Sequence, residues 1–164
     1  MKYILAFALL IPVCAWSQNT CKLHRETDPY TKETKVSTGF IELAGGSVTI
    51  DADSKEVDFF FTISGNKCYD EQTTIVFVFE GSKSKTTTHN NGSMNCEGFF
   101  HLIYKNNGSY SNSLLNKMLK QKITTISFIG NDKKETKIEF SEPDQRTFME
   151  LANCLIEEAK TLVK

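Results

Sequence analysis

Apolar and polar residues alternate with a period of two along most of the chain up to Phe140, and only the last stretch switches to a period near 3.6. This predicts short β-strands between Cys21 and Phe140, with one helical interruption, followed by a helix. Thr20 to Thr27 and Thr34 to Leu43 flank Asp28-Pro29-Tyr30-Thr31, which reads as a hairpin loop. After Gly45-Gly46, the run Ser47 to Ile50 meets the polar stretch Asp51 to Lys55 and then Val57 to Ser64. In that last strand Val57, Phe59, Phe61 and Ile63 form one apolar face, while Phe60 implies partial cover on the other.

Thr73 to Glu80 is a continuous run of β-branched and aromatic residues, which predicts a central strand covered on both faces. Lys83 to His89, alternating lysine and threonine, suits a more exposed neighbour. Two copies of Asn-Asn-Gly-Ser, at 90–93 and 106–109, bracket the strand Gly98 to Tyr104 as tight turns. Ser111 or Ser113 can cap a helix carrying Leu114, Leu115, Met118 and Leu119, and Ile123–Ile129 with Lys134–Phe140 reads as a last hairpin through Gly130-Asn131-Asp132.

The closing helix is the clearest element. Ser141, with Asp144 three residues on and Pro143 in the first turn, marks its start. Phe148, Leu151, Ala152, Leu155, Ala159 and Leu162 then form one stripe opposite Arg146, Glu150, Asn153 and Glu157, with Cys154 on the flank. The predicted fold is α+β: a mainly antiparallel sheet of about seven to nine strands, a short helix over Leu114–Lys120 and the amphipathic C-terminal helix packed across one face.

The first residues change how the cysteines are read. Lys2, the apolar run Tyr3 to Val13 and Ala15-Trp16-Ser17 form a secretion signal, Met1 to Ser17, with cleavage expected before Gln18. Cys14 offers a lipoprotein alternative, but Val13 stands where lipid attachment requires a small residue. Residues 18–164 then form one domain, secreted or periplasmic, without a transmembrane span. Losing Lys2 leaves 18 basic against 20 acidic residues, a balance that argues against nucleic-acid binding.

Cys21, Cys68, Cys96 and Cys154 remain, and an oxidising compartment favours two disulfides. The hairpin of Thr73–Glu80 with Lys83–His89 brings its open ends together, so Cys68–Cys96 is the first expected pair and Cys21–Cys154 the second. Zinc on Cys21, His24, Cys96 and His101 is the rival; no half of that set has Cys-x2-Cys spacing, and neither metal nor cofactor is expected.

His101 lies among Phe99 and Ile103 on a strand and reads as packed or hydrogen-bonded, whereas His89 reads as solvated. No nucleophile elbow, His-Glu-x-x-His string or phosphate-binding glycine loop accompanies them. Asp51, Asp53 and Glu56 could coordinate calcium, but Glu56 occupies the position an EF-hand gives to glycine, which leaves a polar turn as the default. Asn91 and Asn107 each begin an Asn-Gly-Ser glycosylation pattern. The phenylalanines supply core, with a surplus that could line a ligand pocket or a dimer interface.

Ser17-Gln18, the run Ile75 to Gly81, Asn95-Cys96-Glu97-Gly98 and Asn153-Cys154-Leu155 together resemble small exported proteins of Bacteroidetes-type bacteria. That resemblance implies a cell-envelope location and a compact α+β domain, and it carries over no catalytic or binding residue. The functional expectation is a non-enzymatic binding or interaction module whose partner is an envelope protein, lipid or glycan. A hydrolase using His101 or His89, and a structural envelope component acting as a homodimer, are the alternatives.

Overall fold

The computed structural model describes residues 21–162 except 66, 107–109, 111 and 131. The signal segment, Cys14, Ser111, Asn131 and Asn107 with its Asn-Gly turn lie outside the described residues. The order is β1 (His24–Thr27), β2 (Thr34–Leu43), β3 (Gly46–Ala52), β4 (Glu56–Ile63), β5 (Thr74–Phe79), β6 (Thr86–His89), β7 (Phe99–Lys105), α1 (Ser113–Lys120), β8 (Ile123–Ile129), β9 (Glu135–Glu139) and α2 (Glu142–Leu162).

All pairings are antiparallel, as expected, but the nine strands divide into two sheets instead of one, in the orders β1-β2-β3-β4-β7 and β6-β5-β8-β9. Cover for the aromatic inner face explains the division. Phe61 and Phe100 of the first sheet meet Phe128 of the second, with ring centroids 5.7 and 5.1 Å apart. The remainder of the first sheet's inner face is covered by α2, which packs on β2 and β3 and sets Phe148 5.9 Å from Phe59. The core is thus one aromatic layer shared by two sheets and a helix.

Several local expectations are corrected. β5 is an interior strand, yet only Ile75, Phe77 and Phe79 are fully buried; Val76 and Val78 are half-buried, flanked by threonines and Ser127. Asn112, not Ser111 or Ser113, caps α1: its Oδ1 accepts from the backbone N–H groups of Leu114 and Leu115 at 2.9 and 3.2 Å. On α2 the buried stripe takes in Ile156, while Leu151 and Leu162 are only partly covered. Its start follows the expected reciprocal pattern, since Asp144 N–H donates to Ser141 Oγ (3.3 Å) and Ser141 N–H donates to Asp144 Oδ2 (3.1 Å).

Candidate binding face

The outer face of the five-stranded sheet carries the most exposed large apolar side chain of any strand, Phe40, at 73%. Its direction follows from parity. Val36 is buried, and so are Ile41 and Leu43, an odd number of residues further on. A regular strand would turn one of those sets outward. The chain resolves the conflict with a bulge between Ser37 and Phe40, where Gly39 takes φ +68 and Thr38 Oγ1 accepts from Ile50 N–H at 3.0 Å. The extra residue keeps Ile41 and Leu43 inside, and Phe40 is thereby turned to solvent.

The pairing register places Phe40 opposite Thr49, Thr49 opposite Phe60, and Phe60 opposite His101. One row of side chains thus crosses four strands. Phe60 stacks on His101 with centroids 4.6 Å apart and meets Phe99 edge-on at 5.3 Å. His101 Nδ1 lies 2.7 Å from Asp58 Oδ2. In the neutral ring, a carboxylate accepting there holds the proton on Nδ1 and leaves Nε2 as an acceptor. Burial raises the Asp58 carboxyl above its ordinary range, against the opposing influence of His101, and Asp58 Oδ1 is buried without a hydrogen-bond partner.

Two ion pairs lie beside the row, and Glu42, on the same side of β2 as Phe40, is exposed. Lys35 Nζ lies 3.2 Å from Asp51 Oδ2, and Lys105 pairs with Glu56. The face therefore mixes rings, hydroxyls and neutralised ion pairs.

A strap formed by residues 90–98 closes the neighbouring edge, a device with no clear signature in the sequence. On β7 the backbone N–H of Phe99 donates to Asn95 Oδ1 (2.9 Å), that of His101 to Asn90 Oδ1 (2.9 Å) and that of Ile103 to Asn91 Oδ1 (2.8 Å). Three asparagine side chains thus stand in for a partner strand. Asn90 is itself buried, and it also links to the carbonyls of Asp70, Thr73 and Gly92. Gly92 is required where it sits, since a Cβ there would stand 2.8 Å from His101 Cδ2. In the sequence Asn90-Asn91-Gly92 reads only as a tight turn and, from Asn91, as a glycosylation pattern.

The other candidate residues are dispersed. Cys68 and Cys96 stand at disulfide distance with Cα atoms 3.8 Å apart, as do Cys21 and Cys154 at 6.0 Å. Tyr69 and Asn95 form a β-bridge beside the first pair. These pairings separate the cysteines from the zinc set, and His24 and His101 lie on different strands. His89 is exposed at the end of β6, without an acidic partner among the described residues. Asp53 Oδ1 accepts from the N–H groups of Lys55 (2.6 Å) and Glu56 (2.9 Å), while Asp51 and Glu56 serve the two ion pairs, so the calcium candidates form a turn and do not converge. Asn91 is exposed, with its Oδ1 engaged by Ile103. No helix among the described residues is long and apolar enough to cross a membrane.

These features define an α+β domain of two antiparallel sheets and two helices with an open aromatic sheet face. Comparison with protein-family models, curated proteins and solved structures gave no match to this chain.

Proposed function

We propose that this chain is an exported, non-enzymatic binding module of the bacterial cell envelope, and that its contact surface is the outer face of the five-stranded sheet. The observation that carries this reading is the outward Phe40 in one row with Phe60 and His101. A single exposed apolar residue is ordinary, but several rings gathered on one sheet face form a patch of the kind that marks contact sites. Export is supported by the leader-like first residues and by two cysteine pairs at disulfide distance. In a sedimentation assay with isolated bacterial envelopes, the protein should co-sediment and the Phe40→Ser variant should stay in solution. Equal behaviour of the two proteins removes the reading.

One observation favours a second reading, a hydrolase. The 2.7 Å contact of Asp58 with His101 is the orientation a general base requires, and it leaves Nε2 available. Its test is turnover of nitrophenyl ester, glycoside and phosphate substrates by the native protein and its loss in His101→Ala. Failure of the native protein on all three dismisses it.

A further inference from the structure

We propose that the occupant of the outer sheet face is a neutral oligosaccharide laid across the row Phe40, Thr49, Phe60 and His101. The inference rests on reading that face as the binding surface, and it selects one of the three partner classes an envelope offers.

An extended peptide joins a sheet through a free strand edge. This sheet has two edges: β1 has only four residues, a short template for an added strand, and on β7 the outward N–H groups at Phe99, His101 and Ile103 are already held by Asn95, Asn90 and Asn91. A lipid chain would cover the Lys35–Asp51 and Lys105–Glu56 pairs with hydrocarbon, removing water from four charged groups without replacing its hydrogen bonds. An anionic ligand meets a face on which Glu42 and Asp58 add negative charge to the two matched pairs.

A sugar ring suits both kinds of surface at once. Its C–H face lies flat on an aromatic ring, and the hydroxyls at its rim donate and accept. Strands about 4.8 Å apart place Phe40 and Phe60, two strands from each other, roughly 10 Å apart with the small Thr49 between them. That interval accommodates alternate units of an extended sugar chain, one against each ring, with the unit between them over a floor that carries a hydroxyl. The ion pairs supply donors from lysine and acceptors from carboxylate without a net charge to neutralise. His101 is held by Asp58 and by Phe60, so its acceptor Nε2 is offered in a fixed direction. The bulge adds to the argument: burying Ile41 and Leu43 dictates only that residue 40 faces out, and a polar residue there would satisfy the core equally well.

The test is a titration of the 15N-labelled exported protein with cellohexaose, chitohexaose and maltohexaose at millimolar concentration. At least one should shift the amide signals of Thr49, Phe60 and His101. Phe40→Ala should weaken that binding by about tenfold or more, as truncation of an interface anchor does. Tyr30→Ala, which removes the 92% exposed ring at the β1–β2 turn, should leave it unchanged. Silence toward all three sugars, shifts located elsewhere, or binding indifferent to Phe40→Ala overturns the proposal. Phosphatidylglycerol vesicles are titrated in parallel. Shifts of the same face by vesicles alone, or silence toward sugars and vesicles from a protein that still co-sediments with envelopes, end the glycan assignment and leave the binding module standing, whereas silence toward both without co-sedimentation ends both.

Discussion

At the scale of single residues, the buried Asn90 and the half-buried Asp58 make opposite demands. Asn90 uses both of its polar side-chain atoms and its N–H, and truncation would take their side-chain partner from the N–H groups of Gly92 and His101 and from the Gly92 carbonyl. Asn90→Ala should therefore cost about 2–4 kcal/mol in urea unfolding, whereas Asn91→Ala, at an exposed site, should cost less than about 1 kcal/mol. Equal costs would show that the strap contributes nothing through Asn90. Asp58 differs because burial favours its neutral form and so raises its pKa. A carboxyl raised in the folded state binds more protons there than in the unfolded chain, so its stabilising contribution is present below the ordinary value of 3.8 and is lost as pH rises through the raised one. Asp58→Asn removes that dependence. Its unfolding free energy, taken relative to that of the native protein, should therefore rise between pH 3 and pH 7, and a relative decline over the same interval would contradict the sign.

At the scale of elements, the C-terminal helix is secured in two ways. Phe148 lies between Phe59 and Phe140, at 5.9 and 5.7 Å, and Phe148→Ala should cost about 3–5 kcal/mol through loss of burial and the cavity left behind. Cys154 ties the same helix to Cys21 across a separation of 133 residues, against 28 for Cys68 and Cys96. On the chain-entropy account, replacing Cys21 and Cys154 with alanines should cost about 4–5 kcal/mol and replacing Cys68 and Cys96 about 3–4 kcal/mol, compared by urea unfolding of the oxidised proteins. The reverse order would mean that native-state strain, not loop length, governs the pair.

How far the sequence discloses these elements depends on the range of the interactions that make them. β2 and β8 begin and end where the alternation places them, because alternation and turn chemistry are local signals. The bulge was legible in principle: Val36 and Ile41 have opposite parity, and Gly39 stands inside the strand. Treating Thr34–Leu43 as one regular strand concealed it, and the outward turn of Phe40 with it. The division into two sheets and the contact of His101 with Asp58, 43 residues apart, arise from tertiary pairing. Periodicity carries no record of such partners. Ile156 joined the buried stripe of α2 for the same reason, since the width of that stripe is set by what packs against it.

For the molecule as a whole, the decisive feature is how its sheet edges end. An open edge invites pairing with another chain, and natural sheets blunt it by shortness, charge or cover. Here β1 and β6 have four residues each, and β9 exposes Glu135, Lys137 and Glu139. The remaining edge, β7, is seven residues long and is the one occupied by asparagine side chains. This pattern weighs against a homodimer built edge to edge. The arrangement predicts an uncommon exchange pattern. The amides of His101 and Ile103 point away from the sheet, yet they should exchange about as slowly as those of Phe100 and Leu102, while the outward amides of β1 and β6 should exchange quickly. Asn91→Ala should accelerate Ile103 without altering Phe100, because only the former donates to the missing side chain. Rapid exchange at His101 and Ile103 in the native protein would mean that the strap opens freely, and β7 would then be available to an incoming strand.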